Sequence, residues 1–181
     1  MSKAYIVISA IGADRVGIVD DLSGIVAEAG GNVEESKMAV LGGEFAVMML
    51  VAADEASVGI LESRMTAAEA SLGLRIGVKR TAEAPRPEGG RPYCVETVSL
   101  DGRGILHAVS AVLRKRGINI EELETRTERA PLTGAPLFRL RADIVLGPCV
   151  PVTALRRELE ELQTGQDLDV TLTPLVPARM D

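Results

Sequence analysis

The chain has 181 residues, of which 46% are apolar, 25% charged and only 2% aromatic, with a formal net charge of −6. That apolar content excludes a disordered chain, and an acidic balance with scattered basic residues excludes a sequence-independent grip on phosphate backbones. With no Trp, the cores fall to Val, Ile, Leu, Ala and Met, and few rings remain for stacking bases or sugars.

Residues 4–11 form an apolar, β-branched run that predicts a central strand covered on both faces. Ile11-Gly12-Ala13-Asp14-Arg15-Val16-Gly17-Ile18-Val19 then turns into a helix over about residues 16–29. Ile18, Val19, Leu22, Ile25, Val26 and Ala29 share one face of its 3.6-residue period, and Gly30-Gly31 stops it. Residues 33–41 read as a second strand, placed at an edge by Glu34, Glu35 and Lys37. Gly42-Gly43 makes a hairpin into a third strand over 44–53. That strand has no polar alternation, so both its faces are expected to be covered, one by helices and the other by a second sheet, the sister repeat or another subunit. A helix over 55–71 carries Val58, Leu61, Met65, Ala68 and Leu72, and Leu74, Ile76 and Val78 alternate as a fourth strand. Residues 81–92, with three prolines and two glycines, form the expected linker.

The same pattern is then written again. Asp14 and Asp101, Gly17 and Gly104, Gly30 and Gly117, and Asn32 and Asn119 all stand 87 residues apart, a constant offset that marks an internal repeat. Strand 93–100, helix 104–116, strand 118–127, loop 128–136, strand 138–146, helix 152–162 and a last strand at Leu168, Val170 and Leu172 follow. Phe45 and Phe138 stand 93 apart, so six extra residues lengthen the second hairpin into a mobile tip. The third strand of this copy alternates Phe138, Leu140, Ala142 and Ile144 with Arg139, Arg141 and Asp143, which predicts a wetter outer face. The fold class is therefore α+β: two ferredoxin-like βαββαβ modules, each an antiparallel four-stranded sheet with helices on one face. The modules span residues 1–80 and 93–176.

Gly12-Ala13-Asp14-Arg15-Val16-Gly17-Ile18-Val19 and the return at Gly31-Asn32-Val33, within a twofold βαββαβ order, resemble the ACT domain, a small regulatory module that binds amino acids. Two such modules over residues 3–176 resemble the glycine cleavage system transcriptional repressor group. The resemblance implies a ligand between the first loop and helix of one module and a neighbouring module or subunit. It implicates Asp14, Arg15, Val16, Gly17, Ile18 and Asn32, and in the second copy Asp101, Gly104, Ile105 and Asn119. Val16 stands where a proline is common, and Gly102 stands where Arg15 does, with Arg103 displaced by one, so the second copy departs further from the family pattern. Glycine or serine as the ligand and a transcription regulator protein as the partner follow from the subgroup alone.

The chemistry of the residues is compatible with such a ligand. Backbone N–H groups of Val16, Gly17 and Ile18 at a helix start suit a carboxylate, Asp14 suits an ammonium, and Asn32 offers both a donor and an acceptor. Plainer readings stand beside these. Asp14 equally serves as a helix cap, Arg15 as a surface or interface charge, and Asn32 as a turn residue. His107 reads as a solvated helix residue, Met38, Met48, Met49 and Met65 as core filling, and Glu158, Glu160 and Glu161 as the wet face of a helix.

One His, no metal spacing, no nucleophile elbow and no phosphate loop argue against an enzyme, so no catalytic residue, metal or cofactor is expected. Cys94 and Cys149 read as free thiols. No apolar leader and no run of 18 apolar residues appear, which predicts a cytoplasmic chain without membrane contact. Acidity and the lack of a helix-turn-helix pattern predict no direct nucleic-acid contact. Strand edges and the apolar third strand predict a homodimer. The alternative is a ligand-free oligomerisation or interaction module.

Overall fold

The computed structural model describes residues 3–82, 89–166 and 168–175. The chain divides into two compact units, residues 1–85 and 86–181. In the first, β1 (Ala4–Ala13), α1 (Ile18–Glu28), β2 (Asn32–Leu41), β3 (Glu44–Ala53), α2 (Glu55–Leu72) and β4 (Arg75–Thr81) build a sheet of order β2-β3-β1-β4. In the second, β5 (Arg91–Leu100), α3 (Ile105–Lys115), β6 (Ile120–Arg129), β7 (Pro136–Leu146), α4 (Val152–Gln166) and β8 (Leu168–Pro174) build β6-β7-β5-β8. All pairings are antiparallel. Thr81 and Arg91-Pro92, read as linker, belong to β4 and β5, and residues 83–88 of that stretch lie outside the described residues.

Period-two burial builds the first core. Ile6, Ile8 and Ala10 of β1 and Phe45, Val47, Met49 and Val51 of β3 are buried against Ile18, Leu22 and Val26 of α1 and Val58, Leu61 and Met65 of α2. Full burial of each large aliphatic side chain stabilises the fold by roughly 1.5–3 kcal/mol. The second core repeats this with Val95, Val109, Leu113, Leu140, Ala142, Ile144, Leu155 and Leu159.

The outer face of the first sheet stays open within its own unit. Met48 on β3 is 59% exposed and Ile11 on β1 is 50% exposed, so within this unit only the helix side of these strands is covered. The apolar outer face of β3 is left for a neighbour outside this unit to cover. Met38 is likewise exposed, which leaves Met49 and Met65 as the core methionines of the four.

The second sheet's outer face is charged, as its alternation predicts. Arg141 pairs with Glu96 at 3.0 Å, Arg126 with Glu124 at 3.3 Å, and Arg139 with Glu128. Cys94 lies within this face, free but buried, and burial, with Asp143 as a lesser cause, pushes its thiol up to about 12. Cys149 is free and exposed. The long second hairpin is tighter than expected: β6 and β7 stay paired to Arg129 and Pro136. Residues 130–135 close it through the Ala130 N–H to Ala135 O bond of 2.8 Å and the Gly134 N–H to Ala130 O bond of 2.9 Å.

Glu158 is not a wet-face residue. Arg116 and Lys115 at the end of α3 donate to it at 2.9 and 3.1 Å, joining α3 to α4, and these bonds hold its carboxyl below the usual range.

Candidate functional site

In each unit the central strand ends in a short exposed loop that opens a helix. The Asp14 N–H donates to Gly43 O of the β2–β3 turn at 2.9 Å, and the Asp101 N–H donates to Pro136 O at 2.9 Å. The repeated aspartates thus tie the loop to the hairpin through their backbones. Their side chains stay exposed and, among the described residues, unbonded. Asp14 is therefore not a side-chain cap. The N-cap of α1 is Gly17 and that of α3 is Gly104, at φ 94° and 89°, a left-handed conformation that L side chains rarely adopt. The repetition of these glycines has a backbone cause.

Helical bonding begins with Asp21 N–H to Gly17 O and Ala108 N–H to Gly104 O, both 2.9 Å. The orphan N–H groups are thus those of Gly17, Ile18, Val19 and Asp20, and of Gly104, Ile105, Leu106 and His107. Val16 lies one residue ahead of this set, and its side chain is 98% exposed.

The charges around the two termini differ. Asp20 and Asp21 occupy the first turn of α1, and Arg15 spans back to Asp21 at 2.8 Å. Arg15 is thus an intramolecular ion-pair partner at the surface. The first turn of α3 carries no acid, so a carboxylate there meets the helix dipole without a competing negative charge. On charge alone, the copy that departs further from the family pattern is the more receptive to an anion.

Asn32 and Asn119 lie elsewhere. Asn32 opens β2 opposite Ala52, which pairs with Tyr5 near the start of β1, whereas Asp14 follows the end of β1. Helix α1, about 16 Å long, separates loop from amide. No free amino acid reaches both within one unit. Each amide donates to the glutamate two residues on, Asn32 Nδ2 to Glu34 Oε1 at 3.3 Å and Asn119 Nδ2 to Glu121 Oε1 at 3.2 Å. These glutamates sit where both edge strands shift register, between Val33 and Glu35 and between Ile120 and Glu122. Lys3, at 2.9 Å from Glu34, and then Asn32 hold the Glu34 carboxyl below its usual range. Glu34 marks an edge strand in the sequence, and its pairing with Asn32 is foreshadowed only by the repeat of Asn-Val-Glu-Glu as Asn-Ile-Glu-Glu at the same offset of 87.

Among the described residues, an open groove of about 540 Å³ in the second unit brings Asn119 together with His107, Ser110 and Arg114. Asp101, Gly104 and Ile105 do not line it. His107 is exposed on α3, as a solvated helix residue would be, and Ser110 and Arg114 share its side of the helix. No group of three or more metal-ligating side chains occurs among the described residues, and no helix there is long and apolar enough to cross a membrane.

Comparison with known proteins gives a consistent family. The sequence model of the ACT domain matches residues 4–79. The chain is 36% identical over 129 residues to the glycine cleavage system transcriptional repressor of Escherichia coli (strain K12), covering 71% of this chain and 68% of that protein. Among solved structures it superposes on an unknown protein from Galdieria sulphuraria with a TM-score of 0.84 and 34% identity, over 97% of this chain and 100% of the other. A structure assigned to the glycine cleavage system transcriptional repressors matches in fold, with a TM-score of 0.72 and 22% identity over 97% and 99% of the two chains.

Proposed function

The chain belongs to the family of tandem ACT-domain regulatory proteins that includes the glycine cleavage system transcriptional repressor, and on that premise we propose that it is an amino-acid-responsive regulator acting through contact with another protein. The observation that carries this reading is the loop at the end of the central strand. In the first unit Asp14, its carboxylate exposed and unbonded among the described residues, lies in the loop that opens α1, whose orphan N–H groups are those of Gly17, Ile18, Val19 and Asp20. A zwitterion presents a carboxylate and an ammonium a few ångströms apart, and this end of the unit offers complementary groups for both.

Glycine or serine is the ligand we favour, on the similarity to the glycine cleavage system transcriptional repressor. The ligand site needs a second contributor, because Asn32 lies at the far end of α1. A second copy of the chain, in a homodimer, supplies that amide. A ligand held by two partners favours the arrangement in which it binds more tightly, and that is how occupancy becomes a signal. Net acidity directs the signal to a protein, such as a transcription regulator, rather than to DNA.

The test is a thermal-shift screen of the full chain against the common amino acids. Glycine or serine is expected to raise the melting temperature, corresponding to about 2.7 kcal/mol at a hundredfold excess over the dissociation constant, and Asp14→Ala to lose the shift. Failure of every amino acid to shift the chain overturns the sensor. The exposed Met48 and Ile11 of the first sheet favour the second reading, a ligand-free assembly module, which a stable oligomer indifferent to amino acids would establish.

A further inference from the structure

Among the described residues of the second unit, grooves that carry basic side chains differ in what neutralises them, and three show the contrast. On the outer face of the sheet, a groove of about 380 Å³ is lined by Arg126, Arg139 and Arg141, each already paired with a glutamate. Beside Cys149, one of about 320 Å³ is lined by Lys115 and Arg116, both paired with Glu158. The third runs along α3 and past the start of β6. Arg114 lines it with no hydrogen-bond or ion-pair partner among the described residues, and none of its lining residues is a carboxylate.

We propose that the groove between α3 and the start of β6 binds a small organic oxyanion, a carboxylate or phosphate monoester on a short apolar body. His107, Ser110, Ala111 and Arg114 fall at i, i+3, i+4 and i+7, one stripe of the helix. Leu113 and Ile118, both buried, and Ile120, half-buried, give the groove an apolar floor for the body of the ligand. The head group belongs at Arg114, whose fork of donors matches an oxyanion. Two features oppose an anion nearby: the carbonyl end of α3, and Glu121, which holds the Asn119 amide. Both place the head on the guanidinium rather than on Asn119 or the backbone. His107, seven residues back and about 10 Å along the helix, sets the length of ligand the groove accommodates.

The repeat supplies an internal control. At the same offset the first unit has Asp20 for His107, Ser23 for Ser110, Gly24 for Ala111 and Ala27 for Arg114. A carboxylate and a methyl group replace the two basic side chains, so an oxyanion site along this helix stripe is confined to the second unit. The inference goes beyond the amino-acid reading and uses none of the loop residues 14–18 or 101–105.

The experiment is an NMR titration of the full isotope-labelled chain with butyrate, butyl phosphate and inorganic phosphate in turn. Saturable shifts are expected at residues 107–120 and not at residues 20–33, with the tighter of the two butyl probes identifying the head group. Arg114→Gln is expected to weaken binding by about tenfold or more, the scale of a charge-assisted bond. Arg157→Gln, which removes another exposed arginine without a described partner, should leave binding unchanged. No saturable shift at residues 107–120, no effect of Arg114→Gln, or equal weakening by Arg157→Gln overturns the proposal. Asp14→Ala must leave this titration unchanged even if it abolishes the amino-acid response, so the two readings fail separately.

Discussion

The two units share strand order, glycine-capped first helices and register shifts at the same points of their edge strands, and differ in nearly every side chain that carries chemistry. The first helix of unit one opens with Asp20, Asp21 and an Arg15 tether, while that of unit two opens without an acid. Sheet one turns Met48 and Ile11 outward, and sheet two turns out a ladder of ion pairs. Even the cores diverge: Ala10 and Gly12 of β1 correspond to Thr97 and Ser99 of β5, whose hydroxyls are buried without a partner. What repeats lies at the loops and edge strands, and what varies lies at the helix starts and on the outer faces of the sheets.

The largest contrast is expected in the cores. Phe45 is buried and Phe138 half-buried, so Phe45→Ala should cost about 3–5 kcal/mol and Phe138→Ala clearly less, read from urea midpoints. Equal losses would erase this distinction. Next is Gly12→Ser, which puts into unit one the residue that unit two carries as Ser99. Its Cβ would lie 2.8 Å from both Gly73 O and Leu74 Cδ2, so a loss of about 1–3 kcal/mol is expected, visible as a lower melting temperature. In the opposite sense, Thr97→Val replaces an unbonded buried hydroxyl by a methyl of similar shape, and a gain of up to about 1 kcal/mol is expected in the same assay. A loss instead would reveal a partner for that hydroxyl.

The smallest effect separates the helix pairs by pH. Arg116 and then Lys115 hold the folded Glu158 carboxyl below its ordinary value. The stability this contributes is present above the ordinary glutamate pKa, about 4.3, and is lost as pH falls through the lower folded value. Glu158→Gln should therefore be less stable than the parent at neutral pH and converge with it in acid. The Arg64–Glu28 pair linking α1 to α2 is open to solvent on both sides, so Glu28→Gln should cost less stability at neutral pH than Glu158→Gln.

Much of the fold could be read directly from the chain. The offset of 87, the apolar stripe of each helix and the Gly42-Gly43 turn predicted the elements to within a few residues, because local periodicity and backbone freedom are sequence properties. The site was legible only as a loop. Asp14 and Asp101 anchor a hairpin only through their backbone N–H groups, and Asn32 and Asn119 bond the glutamates at the register shifts of their edge strands. Neither function leaves a period. Arg114, Lys115 and Arg116 form one basic run in the sequence, and a paired arginine and an unpaired one look alike until the acids around them are placed.

The amino-acid sequence by itself determined the two βαββαβ modules, the position of their turns and the wetter outer face of the second, since each follows from residue type at fixed spacing. Only the tertiary structure decided which charges are already satisfied. It also decided that Met48 faces outward within its unit, that Glu158 ties α3 to α4, and that loop and amide stand at opposite ends of a helix. Those outcomes depend on distances across strands and between helices, which spacing along the chain does not encode.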